Sequence, residues 1–200
     1  MSDGFSSGSG FQAAGINKGH IRYNIDDGIT YQYIGGPGIL SSWRVVFGSE
    51  AYAQLVNLNG AVPSDTNPFQ VMFQVDEIRG MRVDQDNGGS HIHIEERGIY
   101  SIVNGIQCDK TGGAGGAHFL DMWIRKNGVD IPNTGIRNTV IQLAETKVLV
   151  LNWVGELLVD DIITKWIAVN NAGVGLGLYT LTNTVGAVIP AGIFTIIKIQ

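Results

Sequence analysis

The sequence predicts an all-β protein, an antiparallel β-sandwich, and three observations predict it. From Ser49 onward apolar and polar residues alternate with a period of two, in runs rich in β-branched side chains. Turn-forming Gly, Asn and Asp recur about every eight to twelve residues, the spacing of a sandwich. Nothing between the runs is long and amphipathic enough to be the crossover helix that a parallel sheet requires.

Composition narrows the class further. A chain of 200 residues can enclose one full core. We read residues 1–47 as an N-terminal attachment arm and residues 48–200 as the sandwich domain. In the arm, Gly4 to Gly10 is rich in Gly and Ser, and short motifs such as Ile29–Tyr33 give way to Gly35-Gly36-Pro37-Gly38. Such a segment buries too little apolar surface to offset its own ordering entropy, so neighbouring subunits or a larger assembly are expected to hold it. Twenty-eight glycines in 200 residues is 14%, against an average near roughly 7%, which favours many tight turns. The formal charge of −5 removes the basic stripe that phosphate backbones need, and nucleic acid is not an expected partner. Met1–Phe5 lacks the charged start of a signal peptide, and no run approaches the ~18 apolar residues of a membrane span. Synthesis in the cytoplasm without membrane insertion is therefore expected. Cys108 is alone, so neither an internal disulfide nor a thiolate metal cluster is available to it.

In chain order, the alternation predicts strands near Tyr52–Leu58, Phe69–Val75, His91–Glu96, Ile99–Cys108 and His118–Arg125. Further strands follow near Thr139–Leu143, Val148–Val154, Ile162–Val169, Gly175–Leu181 and Gly192–Ile199. Lys126-Asn127-Gly128 reads as a hairpin turn, because Asn-Gly supplies the two positive φ angles of a type I′ turn. No repeat of about twenty to fifty residues is visible, which disfavours propellers and solenoids.

Three segments stand out in order: Gly98-Ile99-Tyr100-Ser101-Ile102, then Met122 to Asn133 with its Trp-Ile-Arg-Lys-Asn-Gly core, then Leu157-Leu158-Val159-Asp160-Asp161. Taken together they resemble the jelly roll of tumour necrosis factor and complement globular heads, as found in bacteriophage and other viral structural proteins, and the resemblance implies that the sandwich of residues 48–200 is a jelly roll. Val188-Ile189-Pro190 followed by Ile193–Ile197 resembles the closing strand of that family. Asp160 departs from the pattern, which has Gly before Asp161. The resemblance implies a homotrimer.

The residues give that implication a physical basis. In Ile99–Cys108, Tyr100, Ile102 and Ile106 can face one layer while Ile99 and Val103 face the other. A strand apolar on both sides is buried on both, within the sandwich and against another subunit. Val148–Trp153 and Phe194–Ile197 share this character. The trimer and core packing set is thus Tyr100, Ile102, Trp123, Trp153, Trp166, Phe194 and Ile196. With Trp123 in the core, Trp123→Ala should cost roughly 3–5 kcal/mol and Asn127→Ala less.

Catalytic and metal-binding patterns are weak. Alternation puts His91, His93 and Glu95 on one strand face, where three copies around an axis can bring imidazoles to a metal. A solvated His-x-His pair needs no metal, however, and His20 and His118 are lone; no metal or other cofactor is expected. Asp84, Asp86, Asp160 and Asp161 can offer calcium ligands but read more simply as turn residues. Gly112–Gly116 lacks the Lys and the helix N-terminus of a phosphate loop. No nucleophile elbow occurs, and nothing arranges the two carboxylates of a glycosidase, so no enzyme is expected. The expected function is that of a trimeric virion surface protein, a head-fibre, decoration or minor capsid protein anchored to capsid or tail by residues 1–47. The alternative is a tail-fibre or tail-tip protein whose loops at Lys110–Ala117 and Asn170–Gly177 bind a host glycan or surface protein.

Overall fold

The computed structural model describes residues 21–24, 29–33, 43–47 and 51–200, the last without 87, 114, 115, 183 and 184. The chain divides into two units, residues 1–50 and 51–200. In the first, β1 (Ile21–Asn24), β2 (Ile29–Tyr33) and β3 (Trp43–Phe47) form an antiparallel sheet in the order β1-β2-β3. The strand-like motif Ile29–Tyr33, expected inside an extended arm, thus pairs on both sides. Gly4–Gly10 and Gly35–Gly38 lie outside the described residues.

The second unit begins with β4 (Tyr52–Asn57), β5 (Phe69–Gln70), β6 (Gln74–Arg79), β7 (Met81–Asp86) and β8 (Gly89–Ile94). The long β9 (Gly98–Lys110) follows, then β10 (His118–Lys126), β11 (Val129–Asp130), β12 (Ile136–Val140), β13 (Lys147–Leu157) and β14 (Ile162–Val169). After a 3₁₀ turn at Ala172–Val174 come β15 (Leu176–Leu178), β16 (Leu181–Thr182), β17 (Val188–Ile189) and β18 (Gly192–Lys198). One sheet has the order β13-β9-β18-β4-β6, with β15 also on β9. The other has the order β11-β10-β14-β8-β7, with β12 on β10 and β5 on β14. Consecutive long strands alternate between the sheets, and the first and last, β4 and β18, pair side by side. This strand order makes the unit an antiparallel jelly roll, as the sequence predicts.

Alternation builds the core between the sheets. From β9 it receives Tyr100, Ile102, Ile106 and Cys108, from β10 Leu120, Met122 and Ile124, and from β18 Phe194 and Ile196, all almost fully buried. Phe73 and Phe194 meet with ring centroids 5.6 Å apart. The Cys108 thiol is free, and burial raises its pKa.

At three places the observed strands depart from the expected ones for a physical reason. The run Phe69–Val75 is broken because the chain crosses there from one sheet to the other. Val71 and Phe73 drop into the core as it does so, with the Val71 amide donating to Lys165 O at 2.9 Å and the Phe73 amide to Ser90 Oγ at 2.8 Å. Strand β7 escapes the pattern because Met-Arg-Val-Asp-Gln-Asp is mostly polar; β8 alone pairs with it in the ladder. The run Gly175–Leu181 is shortened by Gly175, whose φ of +61° ends the 3₁₀ turn before β15 starts.

The core holds one uncompensated cation. Lys165 on β14 is 1% exposed, between Ile163 and Ile167, and its ammonium has no hydrogen-bond partner among the described residues. Burial pushes it down from 10.5 to about 7. The unfolded chain therefore takes up a proton between about pH 7 and 10.5 that the folded chain does not, so stability rises with pH across that window. Lys165→Met should raise stability at pH 7 and flatten this rise. Urea midpoints of both proteins at pH 7, 8, 9 and 10 check it; parallel profiles would contradict it.

Candidate functional site

Two outward faces carry the unusual chemistry. On the first sheet, many of the positions of β9, β13 and β18 that alternate with the core ones are apolar yet exposed, with Ser101, Asn152 and Thr195 interspersed. Val148, Val150 and Val154 are 65%, 60% and 56% exposed, and Val103, Ile193 and Ile197 are also exposed. The ladders place them in rows. Val150 lies opposite Gly105, Gly105 opposite Ile193, and Ile193 opposite Val56. The neighbouring rows run Asn152, Val103, Thr195, Gln54 and Val154, Ser101, Ile197, Tyr52. Gly105 sits in the middle of this face and in the interior of β9, where glycine weakens a strand. A Cβ built there meets nothing within 4 Å, so no contact within the described residues demands the glycine.

The predicted packing set divides between faces. Tyr100, Ile102, Phe194 and Ile196 are 0% exposed in the core. The Tyr100 hydroxyl donates to Glu96 O at 2.7 Å, and burial raises its pKa to about 12. Trp153 packs against the core edge, its indole close above Gly155. Trp123 and Trp166 are elsewhere, on the outer face of the second sheet. The core positions of β10 and β14 are taken by their neighbours Met122, Ile124, Lys165 and Ile167, which leaves the two indoles directly opposite one another outside. The expectation of a core Trp123 is corrected accordingly.

Around these indoles the side chains are tightly ordered. The Arg125 guanidinium lies 4.2 Å from the Trp166 ring centroid and 5.6 Å from that of Trp123. Asp130 accepts from Trp123 Nε1 at 2.8 Å and from Arg125 Nε at 2.6 Å, and the Arg125 bond holds its carboxyl below the usual range. Next to them Arg137 donates twice to Asp121, both at 2.7 Å, and stacks 4.0 Å from Phe119. An open depression of about 490 Å³ is lined by Asp121, Trp123, Asp130, Gly135, Arg137 and Ala168 among others. Sequence reasoning missed Asp121, Asp130 and Arg137, although the signal was present: Leu120, Met122 and Ile124 already claim the core face, so Phe119, Asp121, Trp123 and Arg125 must face outward.

The other candidates resolve as follows. His93 Nε2 lies 3.0 Å from Asp84 Oδ2, and Asp84 also binds Arg82, which lowers its pKa. His91 pairs in register with Asp84, and its Nδ1 is buried with no hydrogen-bond partner among the described residues. Among the described residues, no three His, Cys, Asp or Glu side chains converge on a metal position. Asp84 and Asp86 belong to β7 rather than to a turn, whereas Asp160 and Asp161 do lie between β13 and β14. The segments Lys110–Ala117 and Asn170–Gly177 are not free loops throughout: the Gly112 amide donates to Val174 O at 2.9 Å, and Lys110 is buried with Nζ donating to Ile141 O at 2.9 Å. His20 lies outside the described residues.

Two motifs that the sequence pairs only by order meet in space. Asn127 and Gly128 take φ of +52° and +80°, the expected type I′ signs. The Asn127 side chain also receives the Ile162 amide at 2.7 Å and donates to Asp161 Oδ1 at 2.7 Å, 34 residues along the chain. Burial alone would raise the Asp161 carboxyl, but the Leu158 amide at 2.9 Å, Asn127 and Lys126 hold it low. Asp160 adopts φ +68°, so it supplies the left-handed conformation for which the resembling family uses glycine.

No protein-family model matches the chain, and no curated protein matches it. Among solved structures it is similar to murine APRIL in a crystal structure at pH 5.0, at 16% identity and a TM-score of 0.45, over 75% of this chain and 99% of that one. The jelly-roll assignment rests on the strand order given above.

These contacts reverse the ranking that a core Trp123 implies. Asn127→Ala removes two side-chain hydrogen bonds and puts at positive φ a residue that tolerates it less well than asparagine, for a cost of about 2–4 kcal/mol. Trp123→Ala removes a half-buried indole with one hydrogen bond and a cation–π contact, for about 1–2 kcal/mol. Chemical denaturation of both variants at equal concentration checks this order; a larger loss for Trp123→Ala would contradict it.

Proposed function

We propose that the chain is a non-catalytic, homotrimeric structural protein of a virion surface, of the decoration, head-fibre or minor capsid type. The observation that carries this reading is the uncovered apolar face of the β13-β9-β18-β4 sheet with Gly105 at its centre. Antiparallel sheets that face water on one side normally carry polar residues there, and contiguous apolar surface marks an association site. A closed three-fold arrangement covers each copy's face with two others, and Gly105 allows close approach where the faces converge. The virion setting draws on the resemblance of the Trp123–Gly128 and Leu157–Asp161 motifs to those of viral structural proteins. In this reading residues 1–47 dock to a capsid or tail protein, and the chain is made in the host cytoplasm and ends in the particle. The carboxylates beside the depression support a non-catalytic role, since Asp121 and Asp130 each accept from a guanidinium, whereas glycoside cleavage needs one protonated carboxyl.

Sedimentation equilibrium of the full chain should give about three times its 21.5 kDa mass. Gly105→Val meets open space within one chain and favours a strand, so it should leave secondary structure intact while weakening the trimer; Val150→Glu should dissociate it. A wild-type monomer at micromolar concentration would sink the proposal. Deleting residues 1–47 should leave a trimer that no longer attaches to particles, whereas loss of trimerisation on deletion would assign the segment to the assembly core.

A further inference from the structure

We infer that the outer face of the second sheet is a binding platform for an uncharged saccharide, centred on Trp123 and the depression beside it. This goes beyond the assembly role and does not depend on it, because every group involved belongs to one copy and to the sheet opposite the uncovered apolar face.

Four features specify the ligand chemistry. Trp123 is half-buried on an outward sheet face and lines an open hollow of about 490 Å³, so part of its indole surface is left for a ligand. The apolar face of a pyranose ring stacks on such a surface, where its C–H groups meet the negative ring face. Polar groups flank the indole and are fixed in advance: Asp130 is held by Trp123 Nε1 and Arg125 Nε, and Asp121 by both Arg137 nitrogens. Carboxylate oxygens retain free lone pairs in this arrangement and can accept from ring hydroxyls, while the guanidinium groups keep further donors. Local charge cancels, two carboxylates against two guanidiniums, which disfavours both sialylated or sulfated glycans and cationic ligands. Finally, Ala168 and Gly135 leave the hollow open, and a Cβ at Gly135 meets nothing within 4 Å. A shallow site with one aromatic stacking surface and a few fixed polar groups suits a short oligosaccharide bound weakly per copy, and three copies would multiply that affinity.

The test uses the full-length protein on an array of neutral oligosaccharides built from glucose, galactose, mannose and N-acetylglucosamine, with sialylated and sulfated glycans alongside, followed by titration of the best binder with Trp fluorescence. At least one neutral oligosaccharide should bind saturably. Trp123→Ala should weaken it by about tenfold or more, a loss of at least ~1.4 kcal/mol. Gly135→Phe, which fills the hollow without touching Trp123's hydrogen bonds, should weaken it similarly, and Trp153→Phe on the other sheet should leave it unchanged. Far-ultraviolet circular dichroism of each variant confirms that the fold persists. Silence across the neutral glycans, binding confined to the charged ones, or neutral binding undiminished by Gly135→Phe would each overturn the assignment. Trimer mass is read separately, so the failure of either proposal is visible without the other.

Discussion

The structure depends on β9, a thirteen-residue strand that carries apolar side chains on both of its faces. It is an interior strand of its sheet, pairing with β13 over eleven residues and with β18 over seven. One of its faces supplies Tyr100, Ile102, Ile106 and Cys108 to the core. Because side chains alternate strictly, the opposite face cannot also turn inward, and Val103 and Gly105 are left outside together with Val150 and Ile193 beside them. The same constraint that closes the core therefore leaves this apolar surface outside, and it is the surface that the proposed association would cover.

The second sheet solves the opposite problem. Its outer face carries Trp123, Trp166, Arg125 and Arg137, amphipathic side chains that cover apolar area while keeping polar tips in water. Here the cross-strand indole pair and the stacked guanidiniums occupy the face without needing a partner copy. The hairpin that follows β10 is tied to the turn before β14 by Asn127 and Asp161, so the ends of the two central strands of this sheet are fixed relative to one another. That clamp holds Trp123 and Trp166 opposite each other on a rigid scaffold.

The fold class was legible because its signals are local: period-two alternation, Asn127-Gly128, and the absence of crossover helices. Strand Ile162–Val169 matches its predicted bounds. Less legible were features set by distant contacts. Nothing local marks Val71 and Phe73 as a crossing between sheets, and β7 is held by its ladder to β8 rather than by hydrophobicity. The side on which Trp123 falls was decidable from Met122 and Ile124, but aromatic residues were weighed by size instead of parity. Lys165 was invisible as a core residue because a lysine amid Ile163, Trp166 and Ile167 reads as the polar phase of an alternating strand. The Arg125–Asp130 pair follows from the two-residue turn at Asn127-Gly128, which sets those residues opposite one another, whereas the sequence carries no pairwise sign of Arg137 with Asp121.

The claim that the apolar face of the β9 sheet is covered by further copies can be tested without altering the protein. Carbene footprinting of the full chain labels aliphatic side chains in proportion to their contact with solvent. Val129 on the short β11, 70% exposed, serves as an internal reference against Val148 at 65% and Val150 at 60%. If copies cover the face, Val148, Val150 and Ile193 will be labelled several-fold less than Val129 despite their similar exposure in a single chain. Labelling of Val148 and Val150 at the Val129 level would contradict the account, because the face would then be open to water in the protein as it exists in solution.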